Sequence, residues 1–168
     1  MVDFLHNLTT HTAAISGADA VGVLLADQRG RPRYMGASED RARLLELFEL
    51  QNEQGPRLNC FRTRSPVINS DLCETTPRWP LFAPRAVDAG FRSVHAIPMR
   101  LRERVIGTLS LFGGESVRFD TGDVRIVQSL ADVATIAILQ ERAIQRAEIL
   151  TERLQNALNS RVVIEQAK

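Results

Sequence analysis

"RSVHAIPMRLRERVIGTLSLFGG", residues 92–114, decides how this chain folds. Two alternating runs, 92–102 and 105–114, meet at Glu103-Arg104. Side chains on a strand point to opposite faces in turn, so each run reads as a strand. A join of two residues admits only an antiparallel pair, because a parallel pair needs a crossover of about a dozen residues or more.

Working back from the hairpin, "CETTPRWPLFAPRAVDAGF" (73–91) holds three prolines and reads as a structured loop with a short helix near 81–89, closed by Gly90. "SPVINSDL" (65–72) reads as a short strand with Pro66 at its start, where a missing N–H matters least. Residues 57–65 hold a second short helix. "EDRARLLELFELQNEQ" (39–54) reads as a helix with Ser38 as N-cap, Glu39 and Asp40 in its first turn, and Leu44, Leu47 and Phe48 on one side. Gly55-Pro56 ends it. "DAVGVLLAD" (19–27) and "PRYMGA" (32–37) form a further hairpin around "QRGR". Residues 1–16 spell an amphipathic helix, with Met1, Leu5, Leu8, Thr12 and Ile15 at a near-heptad spacing.

Forward of the hairpin, "FDTGD" opens a stretch without Gly or Pro from Asp123 to Lys168. A helix of 46 residues spans about 70 Å. That is longer than a domain of this size, so the far end projects or pairs. Ile136, Gln140, Ala143, Ala147, Leu150, Leu154, Ala157, Arg161 and Ile164 follow a 4-3 spacing, a thin coiled-coil seam.

The element order is helix, two strands, helix, strand, short helix, two strands, long helix. It predicts an α+β fold: an antiparallel sheet of five or six strands with the N- and C-terminal helices on one face and the final helix projecting. The loops between the third and fourth strands are expected over the other face.

Bulk properties narrow the function. The 168 residues carry a net charge of +1, so total charge points to neither nucleic acid nor membrane. No apolar run reaches the roughly 18 residues of a membrane span. The N-terminus lacks the basic and apolar regions of a signal peptide. With two cysteines, Cys60 and Cys73, the expectation is a cytoplasmic protein with reduced thiols. The cysteine spacing fits no metal motif, and no metal or cofactor is expected. There is no Ser-His-Asp set, phosphate loop or convincing carboxylate pair.

"VIGTLSLFGG" resembles the last-strand signature of the GAF sensory family through Gly107, Leu109 and Leu111. "FDTGDVRIVQSLADVATIAI" is similar to its closing helix, with Phe119, Asp120, Asp123, Leu130, Ala131 and Ala137 in pattern. "SVHAIPMRL" looks like its penultimate strand. The resemblance covers about 1–145 and implies a sensory, non-catalytic domain. Residues 146–168 resemble a helical linker and, in "LNSRVVIEQAK", the opening of an ANTAR module, the helical RNA-binding unit of transcription antitermination regulators. The chain would then stop within that module, leaving RNA as a partner of the intact protein only.

The resemblance sharpens several negatives. Bilin-bearing GAF domains use a Cys with an adjacent His, whereas Cys60 precedes Phe61 and Cys73 precedes Glu74. The Asn-Lys, Phe and Asp-Glu pattern of cyclic-nucleotide GAF domains has no convincing match. A cysteine-based reductase resembling the free-methionine-sulfoxide enzyme would have to use Cys60 and Cys73.

For a small-molecule pocket the candidates are Asp71, Trp79, Phe82, Phe91, Arg92 and His95. The aromatic–proline cluster at Trp79, Pro80, Phe82 and Pro84 either lines such a cavity or fills it. His95 could contact a ligand or serve the strand alone. For a homodimer through paired helices the candidates are Leu5, Leu8, Ile15, Ile136, Leu150 and Leu154. A domain that only dimerises, with no ligand, is the alternative.

Overall fold

The computed structural model describes residues 2–27, 29–115 and 119–166. The chain divides into two units, 1–135 and 136–168. In chain order the elements are α1 (Val2–Ser16), β1 (Ala20–Ala26), β2 (Pro32–Ala37), α2 (Asp40–Asn52), α3 (Pro56–Thr63), β3 (Val67–Asp71), α4 (Phe82–Asp88), β4 (Ser93–Leu101), β5 (Arg104–Gly113) and α5 (Thr121–Gln166).

Five strands form one antiparallel sheet in the order β2-β1-β5-β4-β3. The 92–114 hairpin is its centre, with His95 opposite Leu111 and Ile97 opposite Leu109. Its turn falls at Arg102-Glu103, one residue earlier than the sequence suggests, because Arg102 takes the left-handed conformation at φ 57°. β1 is buried along its whole length, as a central strand covered on both faces must be.

The two faces carry different neighbours. Gly36 on β2 makes room for Leu5 of α1. Gly22 on β1, one strand position out of phase with Gly36's partner Val23, makes room for Glu46 of α2. Thus α1 and α2 lie on opposite faces. On the α2 face the core gathers Ala20, Ala37, Leu45, Cys60, Trp79, Phe82, Phe91, Val94, Ala96 and Phe112. The expected cover by the segment between β3 and β4 is present in Trp79, Phe82, Ala83 and Ala86.

α2 departs from its expected orientation. Its buried residues are Ala42, Leu45, Glu46 and Glu49, while Leu44 and Leu47 are exposed. The i, i+3, i+4, i+7 face that meets the sheet therefore includes two glutamates. Their burial depends on a counter-charge from α3, described below.

β3 is an edge strand with a bulge. Its register with β4 shifts between Val67 and Ser70, and Asn69 sits at φ 58°. The start of α5 is fixed by reciprocal caps: Asp123 N–H donates to Asp120 Oδ1 at 2.8 Å, and Asp120 N–H to Asp123 Oδ2 at 3.0 Å. Within the first unit α5 buries Val127, Ala131 and Ala134. In the second unit it is helical to Gln166, and Ile136, Ile144, Leu150, Leu154 and Leu158 are exposed. Met1, Ala167, Lys168 and the side chain of Ile164 lie outside what is described. Among the described residues no helix is long and apolar enough to cross a membrane.

Candidate functional site

Two helices and two strands converge on a charged cluster inside the α2 face. Arg57, on the first turn of α3, has no solvent exposure, and neither have Glu46 and Glu49 of α2. Arg57 Nε–H donates to Glu49 Oε1 at 3.0 Å, and Leu58 N–H donates to Glu49 Oε2 at 2.9 Å. Arg57 Nη1 lies 3.1 Å from Glu46 Oε1. That second contact lacks hydrogen-bond alignment, so among the described residues both Glu46 oxygens and both terminal Arg57 nitrogens are without a hydrogen-bond partner.

The local sequence explains how three long side chains fit there. Gly22 offers no Cβ beneath Glu46, and any Cβ would collide with its carboxylate. Gly55, at φ 151°, does the same for Glu49 and turns the chain so that Pro56 opens α3. Ser110 lies directly across from Gly22, and Thr108 two residues along points to the same face. Among the described residues both hydroxyls are buried without a hydrogen-bond partner. A buried polar group left unsatisfied is destabilising by about 1–3 kcal/mol, so a concentration of them at one place marks a site rather than ordinary core.

Charge counting sets the protonation state. Two carboxylates and one guanidinium leave one uncompensated negative charge in a region without water contact, and burying it is unfavourable. Burial raises both glutamates, with Arg57 opposing; Glu46 is pushed up to about 8. Glu49 has the two hydrogen bonds that favour its ionised form, so the shared proton resides on Glu46. The trio is neutral with that proton bound.

Beside the trio, aromatic rings fill the space under α4. Trp79 and Phe82 meet edge to face at 6.4 Å, and Phe91 packs on Phe112 at 5.1 Å. Arginines close the outside: Arg41 stacks over Phe91, Arg78 over Trp79 and Arg85 over Phe48. Gln54 Oε1 accepts from Leu81 N–H at 2.6 Å and Phe82 N–H at 3.2 Å, tying the end of α2 to α4.

The six pocket candidates do not share one cavity. Trp79, Phe82 and Phe91 are buried in the packed cluster. Asp71 and Arg92 form a loose pair at the β3–β4 edge, 3.8 Å apart, with Arg92 largely exposed. His95 alternates with Val94 and Ala96 and so faces the other side of the sheet, where its ring stacks on Phe119 at 3.9 Å. Its Nδ1 accepts Asn69 N–H at 3.0 Å. Of the dimer candidates on α1, Leu5 is buried, Leu8 half-buried and Ile15 exposed. Ile136, Leu150 and Leu154 are exposed on α5.

Glu46, Glu49 and Arg57 were not legible as a site, because "EDRARLLELFELQNEQ" shows its apolar side at Leu44, Leu47 and Phe48 and sets Glu46 and Glu49 away from it. The only hints are the two glycines that admit them. Both cysteines are free, Cys60 buried and Cys73 exposed. Burial pushes the Cys60 thiol up to about 12, which leaves it a poor nucleophile at neutral pH. Among the described residues no three His, Cys, Asp or Glu side chains are placed to hold a metal ion.

The profile of the GAF domain family matches residues 2–139. No curated protein matches. The chain is similar in fold to the GAF domain of a two-component sensor histidine kinase from Bacillus halodurans, at 13% identity and a TM-score of 0.62, covering 86% of this chain and 98% of that one. It is similar to the GAF domain of an Acinetobacter phosphoenolpyruvate-protein phosphotransferase, at 15% identity and a TM-score of 0.62, covering 84% and 86%. The second GAF domain of DevS from Mycobacterium smegmatis is similar at 17% identity and a TM-score of 0.58, covering 85% and 96%.

Proposed function

The chain belongs to the GAF domain family, and we propose that it is the non-catalytic sensory half of a GAF–ANTAR regulator acting as a homodimer. The observation that carries this reading is the exposed apolar series on the second unit: Ile136, Ile144, Leu150, Leu154 and Leu158 on a continuous helix. Large exposed apolar side chains at helical spacing favour pairing with another helix. A paired α5 gives a signal in the sheet domain a route to whatever follows. The ANTAR-like text of residues 158–168 supports an RNA-binding output in the intact protein, controlling transcription antitermination.

The input is a small molecule acting on the α2–α4 face. The unpaired groups of Glu46, Arg57, Thr108 and Ser110 describe what a guest there would satisfy: a small polar molecule with both donors and acceptors. Binding requires the aromatic cover at Trp79 and Phe82 to move, which shifts the equilibrium between closed and open forms.

The packed state of that cover favours a second reading, a domain that binds nothing and only dimerises. Thermal-shift measurements separate the two, because a ligand at about 100 times its dissociation constant adds about 2.7 kcal/mol of stability. The output is tested by the reading frame after codon 168. A further stretch of about 40–60 helix-rich residues that binds RNA supports it, about the size of a small helical bundle. A stop codon there removes the RNA-binding output.

A further inference from the structure

A pocket of about 290 Å³ opens on the sheet face opposite the charged trio. Its floor is Ser93, His95 and Leu111, which alternate along their strands with Val94 and Phe112 of the packed cluster. Its walls come from the turn between α1 and β1, from the end of β5 and from Phe119.

The lining has a definite chemical character. Asp19 and Glu115 are the acidic residues of the lining, with Asp19 Oδ2 accepting Gly114 N–H at 2.6 Å, and the wall at Ser16–Ala18 is the C-terminal end of α1, where the helix dipole is negative. Among the described residues no Lys or Arg lines the pocket. Phe119, stacked on His95, offers an aromatic surface. Ser93 is 4% exposed, and its hydroxyl makes no hydrogen bond among the described residues. A Cβ on Gly113 would fall 2.7 Å from that hydroxyl, so the missing side chain at Gly113 keeps the hydroxyl open to the pocket.

We propose that this pocket binds a small organic cation, a primary amine or guanidine carrying an apolar group of about ring size. The carboxylates of Asp19 and Glu115 hold the charge, the Ser93 hydroxyl accepts an N–H, and the apolar group lies on Phe119. The volume stands at the lower end of small-molecule pockets, about 300–1,000 Å³, and suits a ligand of roughly ten heavy atoms. Occupancy would bear on both terminal helices, since the pocket touches the end of α1 and the approach to α5.

The test is a ¹⁵N–¹H NMR titration of the full chain with phenethylamine, and with phenylacetate as a probe of similar shape and opposite charge. The expected result is saturable shifts at the amides of Gly17, Asp19, Gly113 and Gly114 with the amine and none with the acid. Asp19→Asn with Glu115→Gln should weaken amine binding about tenfold or more. Glu115→Gln alone, at an exposed position, weakens it measurably and keeps the test decisive if loss of the Asp19–Gly114 hydrogen bond disturbs the fold. No saturable shift up to about 20 mM amine, an equal response to phenylacetate, or unchanged binding in the variants would overturn the proposal.

Discussion

Asn69 and Phe119, fifty residues apart, hold each other's chain by a two-way grip: Asn69 Nδ2–H donates to Phe119 O at 3.0 Å, and Phe119 N–H donates to Asn69 Oδ1 at 2.6 Å. Asn69 also gives its backbone N–H to His95, whose ring stacks on Phe119. One bulged residue on the edge strand thereby fixes the segment that leads into α5. Asparagine suits the position twice over, since it tolerates left-handed φ and carries both a donor and an acceptor.

Replacing Asn69 separates those two roles. Asn69→Gly keeps the backbone conformation and loses the grip; Asn69→Ala loses both. We expect Asn69→Gly to be destabilised by about 1–3 kcal/mol, and Asn69→Ala by about a further 1 kcal/mol. Urea unfolding measures both. Amide exchange at Val124 should quicken in both variants, because its N–H donates to Asp120 in the turn that the grip anchors.

The shared proton on Glu46 makes stability depend on pH. The folded state holds that proton up to about pH 8, whereas an ordinary carboxyl releases it near 4.5. Between these values the folded state binds more protons than the unfolded state, so this residue makes stability fall as pH rises. In Glu46→Gln that part of the slope disappears. Parallel melting curves from pH 5 to about pH 8.5 should therefore diverge, with the variant gaining on the wild type as pH increases. Parallel profiles would mean that Glu46 does not hold the proton.

Removing the guanidinium strands the carboxylates. Arg57→Met should be destabilised by about 3–5 kcal/mol at neutral pH, the usual consequence of breaking a buried ion pair from one side. Adding Glu46→Gln and Glu49→Gln to it should restore most of that loss. Chemical unfolding of the wild type, Arg57→Met, Glu46→Gln with Glu49→Gln, and the triple variant tests this as a cycle, since the residues are in contact and their effects do not add.

Gly22→Ala probes the same packing from the sheet. The new Cβ must collide with the Glu46 carboxylate, so a loss of about 1–3 kcal/mol is expected. Combining it with Glu46→Ala should recover part of the loss. A neutral Gly22→Ala would show that Glu46 does not occupy this position.

The architecture was legible because it rests on local patterns. Alternation at 92–114 specifies a hairpin without outside help, and the Gly- and Pro-free run with Asp120 and Asp123 at its head specifies α5. The interior of the α2 face was not legible. Leu44 and Leu47 mark an apolar side of α2, yet the residues that go inside are Glu46 and Glu49. What reverses the orientation is Arg57, supplied by a separate helix, and a hydropathy pattern within α2 carries no trace of it. The separation of His95 from Phe91 has a related cause: strand alternation sends the His95 side chain to the other face, where it lines a different pocket.

The most direct test of the proposed signalling role is sedimentation equilibrium of the chain at about 100 μM, alongside Leu150→Lys and Leu154→Lys combined. The proposal predicts twice the 18.7 kDa chain mass for the wild type and a single chain mass for the double variant. A wild-type monomer at that concentration would contradict it.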